Sequence, residues 1–217
     1  MTRPHDHDHD HHGQHRDVER FDNWAEHYDQ SWLQRVLFDS VQNQTLAVAA
    51  RITTPINSVL DVGCGTGRLL LRLRQAYPHA STMGIDPAPG MVRMARRQGL
   101  EAAVGSAEAL PLPDGSFDLA VTTMSFHHWG DQASGLAEVR RVLSPGGHLL
   151  LVDAITTWWA RPLFMAVGMH GRFHSRDELD RMFLEAGLRP STRTGVPGTL
   201  GAVAVSAASR PVPDAAS

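Results

Sequence analysis

Three glycines at alternate positions, Gly63, Gly65 and Gly67, lie between the apolar run "LDV" and a leucine-rich run that begins at Arg68. This pattern is typical of a strand that turns into a helix with its backbone laid against a ligand, because glycine permits tight turns and close approach. The dinucleotide-binding fingerprint needs its third glycine at position 68, where this chain has Arg68. The turn alone does not decide which ligand, if any, it meets.

Asp86 ends the next apolar run, "STMGID" (81–86). A carboxylate at this place can accept two hydrogen bonds from a ribose diol. An aspartate would also serve there as the N-cap of the following helix. The two interpretations are compatible, and both stay open.

Two adjacent histidines, His127 and His128, follow the apolar run "FDLAVTTM" (117–124). Imidazole titrates near neutral pH, so either ring could take a proton from a substrate. The alternative is that one ring packs structurally and the other is solvated. Cys64 has no base near it in sequence, which favours a small residue in a crowded turn over a nucleophile.

The elements that must position these residues follow from the apolar pattern. Residues 58–62, 81–86, 101–106, 117–124 and 148–155 are predicted as strands, and residues 68–77, 89–97 and 132–143 as helices between them. This alternation predicts βαβ units in a doubly wound, Rossmann-like α/β fold with helices on both faces of a parallel sheet. Such sheets bind ligands at the carboxyl ends of their strands.

The flanking segments complete one predicted domain, residues 17–209. It begins with helices (17–52) and contains an aromatic insertion (154–174), after which Ser175 and Glu178 predict a capping box. Gly187 is the expected C-cap of that helix, and residues 189–196 and 201–209 are predicted as closing strands turned at Pro197-Gly198. The His/Asp-rich residues 1–16 and the last residues 210–217 are expected to be loose tails.

Composition narrows the class of protein. The 217 residues carry a formal charge of −3, with 20 Lys and Arg against 23 Asp and Glu, and no basic stripe indicates nucleic-acid binding. The single cysteine favours a cytoplasmic location, and neither a secretory signal nor a membrane-spanning run is visible. We expect no metal site, because the alternating His and Asp of the tail give no fixed coordination geometry; a metal-binding role of this tail is the alternative.

Four segments carry a resemblance to a known family: "LDVGCGTG", "GIDPAPGMVRMAR", "AEALPLPDGSFDLAV" and "LSPGGHLLLVD". In this order and at these spacings they resemble the class I S-adenosylmethionine-dependent methyltransferases, especially the small-molecule group similar to the ubiquinone/menaquinone-biosynthesis methyltransferases. The resemblance spans roughly residues 21–208. It implies a seven-stranded sheet of order 3-2-1-4-5-7-6 with the seventh strand antiparallel, and S-adenosylmethionine as the cofactor with S-adenosylhomocysteine as its product.

The resemblance also implies roles for individual residues. The glycine turn would lie under the methionine part of the cofactor, supported by Asp61, and Asp86 would hold the ribose hydroxyls. Tyr28 would close over the amino-acid end. The implied cofactor-binding residues are Tyr28, Asp61, Gly63, Cys64, Gly65, Gly67, Asp86, Pro87, Met91, Ser106, Ala107, Glu108 and Met124.

Ser106 departs from the family pattern. The family commonly has Asp at this position, where its carboxylate accepts a hydrogen bond from the adenine amino group. Serine can still accept such a bond, but more weakly. Either Glu108 compensates or the affinity for the cofactor is lower.

The aromatic insertion indicates where an acceptor could bind. It could roof an apolar or aromatic pocket, or it could form a satellite core or a dimer contact. The candidate pocket residues are Trp24, Trp158, Trp159, Met169, His170 and Phe173.

These features predict a monomeric or homodimeric enzyme that methylates a small apolar or aromatic acceptor at O, N or C. Direct displacement would be catalysed mainly by positioning and exclusion of water. The alternatives are an inactive cofactor-binding partner and a nicotinamide-dependent oxidoreductase, which Arg68 disfavours.

Overall fold

The computed structural model describes residues 32–155, 172–199 and 202–213. In chain order these form α1 (Trp32–Ala49), β1 (Ser58–Val62), α2 (Arg68–Ala76), β2 (Ser81–Asp86), α3 (Pro89–Arg97), β3 (Ala102–Val104), β4 (Phe117–Thr123), a 3₁₀ turn (Phe126–His128), α4 (Gln132–Val142), β5 (Leu143–Ala154), α5 (Arg176–Glu185), β6 (Arg189–Gly195) and β7 (Val203–Ser209). Within these residues no helix is both long enough and apolar enough to cross a lipid bilayer.

The strands form one seven-stranded sheet in the order β3-β2-β1-β4-β5-β7-β6. Strands β1 to β5 pair in parallel, whereas β7 is antiparallel to both β5 and β6. The fold class and the strand order predicted from the sequence are confirmed. They place the carboxyl ends of β1, β2, β4 and β5 along one edge.

Helices cover both faces of the sheet. Residues of β5 alternate between the two cores: Leu149 and Leu151 pack with α4 and α5, whereas Leu150 and Val152 pack with α1 and α2. All four side chains are at most 1% exposed. The near-continuous apolar runs of the sequence arise because parallel strands in this fold are buried on both sides.

Several element boundaries differ from the sequence-based prediction. The third strand covers only residues 102–104. The amide of Gly105 still donates to the carbonyl of Asp86 at 3.2 Å, but Ser106 forms an isolated bridge with Ala109. The fifth strand begins at Leu143 rather than at residue 148, since Leu143 already pairs with Phe117 across an irregular register. Of the predicted N-terminal helices, the described part is the single helix α1.

The predicted capping box at the start of α5 is present. Ser175 Oγ accepts from the amide of Glu178 at 3.3 Å, and Glu178 Oε2 accepts from the amide of Ser175 at 2.8 Å. Gly187 follows the helix with φ 75°, as expected for a terminating glycine. Arg210, expected in a loose tail, instead donates to backbone carbonyls at the end of α4, including that of Arg140 at 3.3 Å.

Candidate active site

The candidate site lies at the carboxyl edge of the parallel strands. A turn of three glycines follows β1, Asp86 ends β2, Met124 follows β4, and Asp153 lies next to the end of β5. The order of the strands reverses between β1 and β4, and doubly wound folds bind ligands at such a switch point. The fold therefore brings together residues that lie far apart in the sequence.

The glycine turn is fastened to β2 through its backbone. The amides of Gly63 and Cys64 both donate to the carbonyl of Ile85, at 2.7 and 3.1 Å. The amide of Gly67 donates to the carbonyl of Cys64 at 2.9 Å and closes the turn ahead of α2. The path of this turn is thus fixed by hydrogen bonds within the protein.

Asp86 links the turn to the start of α3. Its Oδ2 accepts from the amide of Gly65 at 2.8 Å, and its Oδ1 accepts from the amide of Ala88 at 2.9 Å. The N-cap of α3 is Ala88, so Asp86 supports the cap without occupying it. Burial raises the pKa of Asp86, and the two amides partly oppose this shift. Each carboxylate oxygen keeps a second lone pair for a ligand.

The three glycines of the turn serve different purposes. A Cβ on Gly63 would lie 2.0 Å from Ser125 Oγ, and a Cβ on Gly67 would lie 2.4 Å from Leu100 Cδ1. Among the described residues, no atom lies within 4 Å of a Cβ built on Gly65, although its φ of 52° is left-handed. The sequence predicts that all three glycines permit the tight turn and the approach of a ligand. The described residues leave space beside Gly65, whereas Gly63 and Gly67 also allow close packing of Ser125 and Leu100.

The thiol of Cys64 packs into the core. A Cβ on Gly84 of β2 would lie 2.7 Å from Cys64 Sγ. Burial, followed by the charges of Asp61 and Asp86, raises the pKa of this thiol far above its ordinary value. This environment opposes a nucleophilic thiolate.

Asp61 is a buried acid with an unused oxygen. Asp61 is 1% exposed, and no residue in the described part of the chain is hydrogen bonded to its Oδ1. Burial and then the charge of Asp86 raise the pKa of Asp61 to about 8. A buried oxygen without a donor costs free energy, so this atom suits a ligand with a cationic N–H group.

The residues predicted to meet adenine lie on the β2–β3 side of the site. Pro87 is exposed, whereas Met91 and Ala107 are buried. Glu108, considered as compensation for Ser106, uses Oε1 to accept from the amides of Gly130 and Asp131 at 2.8 and 3.2 Å. That oxygen joins the segment after β3 to the start of α4, which limits its use toward a ligand.

Met124 has an unusual backbone conformation directly after β4. Its φ of 51° is the only positive φ of a non-glycine among the residues that the structure describes. Its amide donates to the carbonyl of Val152 at 2.8 Å, which holds the strained residue in place. The next residue, Ser125, packs on Gly63 and accepts from Trp129 Nε1 at 3.3 Å.

His127 is paired with a buried carboxylate. Its Nδ1 lies 2.8 Å from Asp153 Oδ1 and 2.9 Å from Oδ2, and its amide donates to Oδ2 at 3.0 Å. The two side chains are 9% and 5% exposed. The ring centroid of His128 lies 4.0 Å from that of His127. Of the two histidines predicted as bases, His127 is therefore the one that the structure pairs with Asp153.

Asp153 was not singled out from the sequence. The available signal was a carboxylate near the end of an otherwise apolar central strand, "HLLLVDA". Its partner His127 is separated from it by α4 and most of β5, so spacing in the sequence does not reveal the pair.

The chain returns to the site at Phe173. The ring of Phe173 stacks on His127 with centroids 4.8 Å apart, and the amide of Arg172 donates to the carbonyl of His127 at 3.2 Å. Buried Gln132 donates through Nε2 to the carbonyls of Phe126 and Arg172, at 2.9 and 3.1 Å. Phe173, predicted as a pocket residue, therefore lies beside the His127 ring.

The other predicted pocket residues and Tyr28 lie outside the described residues; these pocket residues are Trp24, Trp158, Trp159, Met169 and His170. The His/Asp-rich tail, residues 1–16, lies outside them as well. In the part of the chain that is described, no group of three or more His, Cys, Asp or Glu side chains is arranged to hold a metal ion.

Comparison with known proteins identifies the central segment. The family model named "Methyltransferase domain" matches residues 60–151. Residues 60–151 are thus similar to methyltransferase domains. The matched segment includes the glycine turn, Asp86 and His127, and the resemblance predicted from the sequence motifs is confirmed.

Curated relatives resemble this chain over part of their length. The chain is 41% identical over 101 residues to demethylmenaquinone methyltransferase of Thermus thermophilus, covering 44% of this chain and 46% of that protein. It is 47% identical over 94 residues to malonyl-[acyl-carrier protein] O-methyltransferase of Geobacter sulfurreducens, covering 41% and 35%. Each match spans less than half of the relative's own length.

A solved structure shares the fold of this chain. Geranyl diphosphate C-methyltransferase of Streptomyces coelicolor superposes with a TM-score of 0.67 at 16% identity, covering 79% of each chain. At this identity the likeness concerns the architecture of the sheet and its helices.

Proposed function

We propose that this protein transfers a methyl group from S-adenosylmethionine to a small acceptor molecule. The methyltransferase domain supports the reaction class. The observation that carries the proposal is the buried, unpartnered Asp61 Oδ1 in a site where the space beside Gly65 is open. The names of the relatives, which refer to demethylmenaquinone and to malonyl-[acyl-carrier protein], support acceptors that present a small reactive group.

The chemistry of the site suits the polar groups of this cofactor. In the proposal, Asp61 Oδ1 accepts from the ammonium group, and Asp86 uses its free lone pairs for the ribose hydroxyls. The backbone at Gly65 lies against the methionine part. When bound, the cofactor supplies an activated methyl group on its sulfonium. The residues of the chain bind and orient the cofactor and the acceptor, and they exclude water from the site.

The adenine side of the proposed site is mostly apolar. Pro87, Met91 and Ala107 would contact the ring, and the Ser106 hydroxyl would accept from its amino group. Because Glu108 Oε1 is already used by two backbone amides, Ser106 is left as the main acceptor there. The acceptor pocket, the monomeric or homodimeric state and the cytoplasmic location stay predictions from the sequence.

Isothermal titration calorimetry with S-adenosylhomocysteine tests the proposed function. We expect saturable binding to the full chain and none with NAD. Asp86→Asn should weaken binding by roughly 10- to 100-fold, since hydrogen bonds to a charged group contribute about 1.5–3 kcal/mol. The matched control is Asp177→Asn, at an exposed acid in the first turn of α5, which should bind like the native chain. Absence of heat with S-adenosylhomocysteine would refute the proposal.

A further inference from the structure

We propose that His127, held in one tautomer by Asp153, is the general base of the site. We further propose that the methyl acceptor is a neutral molecule with a hydroxyl or amine proton to lose, and not a carboxylate. This inference rests on the proposed methyl transfer and adds to it the class of acceptor and the residues that deprotonate it.

The Asp153 carboxylate is surrounded by donors. Oδ1 accepts from the amide of Ala154 at 2.7 Å, and Oδ2 accepts from the amide of His127 at 3.0 Å. His127 Nδ1 approaches both oxygens, at 2.8 and 2.9 Å. Because each oxygen already faces a backbone N–H, an amide side chain here would turn its NH₂ group against a donor. Aspartate is therefore favoured over asparagine at position 153.

This carboxylate fixes the tautomer of the neutral His127 ring. An acceptor beside Nδ1 favours the form with hydrogen on Nδ1, which leaves the lone pair on Nε2. Among the described residues, the only buried side-chain nitrogen or oxygen atoms without a partner are Asp61 Oδ1 and Thr122 Oγ1. None of the described residues is hydrogen bonded to His127 Nε2, and the proposal gives the acceptor's proton to this atom.

The position of His127 matches that of a base beside the proposed cofactor. It lies two residues after Ser125, which packs directly on Gly63 of the turn. Asp153 lies on β5, next to β4, whose other neighbour β1 carries Asp61. The Phe173 ring stacks on His127, and the His128 ring also lies beside it, so two rings flank the proposed base.

The chemistry of methyl transfer explains what such a base would do. The lone pair of the acceptor's oxygen or nitrogen forms a bond to the methyl carbon while the methyl–sulfur bond breaks, and sulfur keeps the electron pair. The acceptor's proton passes to His127 Nε2, and the resulting imidazolium lies beside the Asp153 carboxylate. Removal of this proton leaves the methylated acceptor uncharged.

A carboxylate acceptor does not fit this arrangement. At neutral pH it has no proton to lose, so a base contributes nothing to its methylation. Its negative charge would also approach the buried Asp153 carboxylate, and like charges in a site of low dielectric repel. A neutral hydroxyl or amine avoids both difficulties.

The tautomer can be measured without any acceptor. Long-range ¹H–¹⁵N spectra of the full chain, labelled with ¹⁵N-histidine and saturated with S-adenosylhomocysteine, distinguish a protonated Nδ1 from a protonated Nε2. The spectra are recorded at pH 8.5, above the ordinary pKa of imidazole. His127 is assigned by the signals lost in His127→Gln. We expect hydrogen on Nδ1, and a changed or mixed tautomer in Asp153→Asn.

Transfer of a tritiated methyl group from S-adenosylmethionine is then measured with three probes: 1,4-naphthalenediol, 2-naphthylamine and malonyl-coenzyme A. We expect transfer to the diol or the amine, with kcat lowered roughly 100-fold in His127→Gln and Asp153→Asn and KM for the cofactor little changed. The matched control is His148→Gln in the middle of β5, where the ring is hydrogen bonded to Thr54. Thermal melts verify that each variant is folded.

Each of the following results would contradict one part of the proposal. An Nε2-protonated ring, or an Nδ1 tautomer that Asp153→Asn leaves unchanged, overturns the role of Asp153. Undiminished transfer by His127→Gln overturns the role of His127 as base. Transfer to malonyl-coenzyme A, or no transfer to either neutral probe by protein that binds S-adenosylhomocysteine, overturns the acceptor class. A chain that does not bind S-adenosylhomocysteine defeats the proposed function instead, so the two failures are distinct.

Discussion

The burial of two carboxyl groups in this site lowers the stability of the folded protein. Asp61 and Asp86 are both buried, and the pKa of Asp61 is raised to about 8, by burial first and by the Asp86 charge second. In the unfolded chain the same carboxyl ionises near 3.8. Between these pH values the folded protein keeps a proton that the unfolded chain has released, so its stability falls as pH rises from about 4 to 8.

Replacement of Asp61 by Asn removes this ionisation. We expect the ligand-free variant to melt several degrees above the native protein at pH 8.5 and close to it at pH 5. In a protein of this size 1 kcal/mol corresponds to roughly 2–4 °C. Thermal unfolding followed by circular dichroism over this pH range measures the difference, with Asp177→Asn as the control. A difference that does not grow with pH would contradict the assigned pKa.

Two glycines of the turn should respond differently to an added methyl group. Gly67→Ala brings Cβ to 2.4 Å from Leu100 Cδ1 at a φ of 88°, so we expect it to lower the free energy of unfolding by about 2–4 kcal/mol. Gly65→Ala meets no protein atom, and we expect a loss of about 1 kcal/mol from its left-handed φ. Urea denaturation provides both values.

The loss of affinity for S-adenosylhomocysteine should be larger for Gly65→Ala than for Gly67→Ala, which is the opposite of their order in stability. Gly65→Ala places its methyl group in the space proposed for the cofactor, so we expect the affinity for S-adenosylhomocysteine to fall more than tenfold. Folded Gly67→Ala protein should lose less affinity. If Gly65→Ala binds S-adenosylhomocysteine normally, the ligand does not lie against this residue.

Arg141, at the end of α4, connects this helix by hydrogen bonds to the segment between β3 and β4. Its guanidinium donates to the carbonyls of Leu110 and Leu112 at 2.9 and 2.8 Å and pairs with Glu138 and Asp114. Glu138 in turn accepts from the amide of Leu110 at 2.9 Å. One side chain thus satisfies carbonyls that no strand or helix satisfies.

Removal of this guanidinium should loosen the segment before β4. We expect Arg141→Ala to lower the free energy of unfolding by about 2–3 kcal/mol, since several charge-assisted hydrogen bonds are lost together. Arg97→Ala, at an exposed arginine in the last turn of α3, is the control and should change stability by less than about 0.5 kcal/mol. Equal effects in urea denaturation would show that the hydrogen bonds of Arg141 contribute nothing beyond surface charge.

The bounds of the helices and strands show how far the sequence predicts the structure. β1, β2 and α3 have the predicted bounds, because their apolar patterns end at glycine, aspartate or proline. The early start of β5 depends on pairing with Phe117 and has no local signal. The His127–Asp153 pair is likewise a product of strands that meet side by side, and only the position of each residue near a strand end could be predicted.

For the molecule as a whole, the pattern of the sequence was sufficient for the architecture. Apolar runs separated by amphipathic helices predict a parallel sheet, and both faces are covered: α4 and α5 pack on one, α1 and α2 on the other. The order of the strands came from the resemblance of the motifs to a family. The distinct tasks of Gly63, Gly65 and Gly67 needed the three-dimensional neighbours.

The position of β7 has a kinetic consequence. β7 lies between β5 and β6, so β6 joins the sheet only through β7. A hairpin of neighbouring strands closes in microseconds, whereas strands far apart in the chain wait for a long loop to close. The β6–β7 hairpin can thus form first and dock on β5 as a preassembled unit. Until it arrives, β5 presents an open edge of the kind through which nascent chains aggregate.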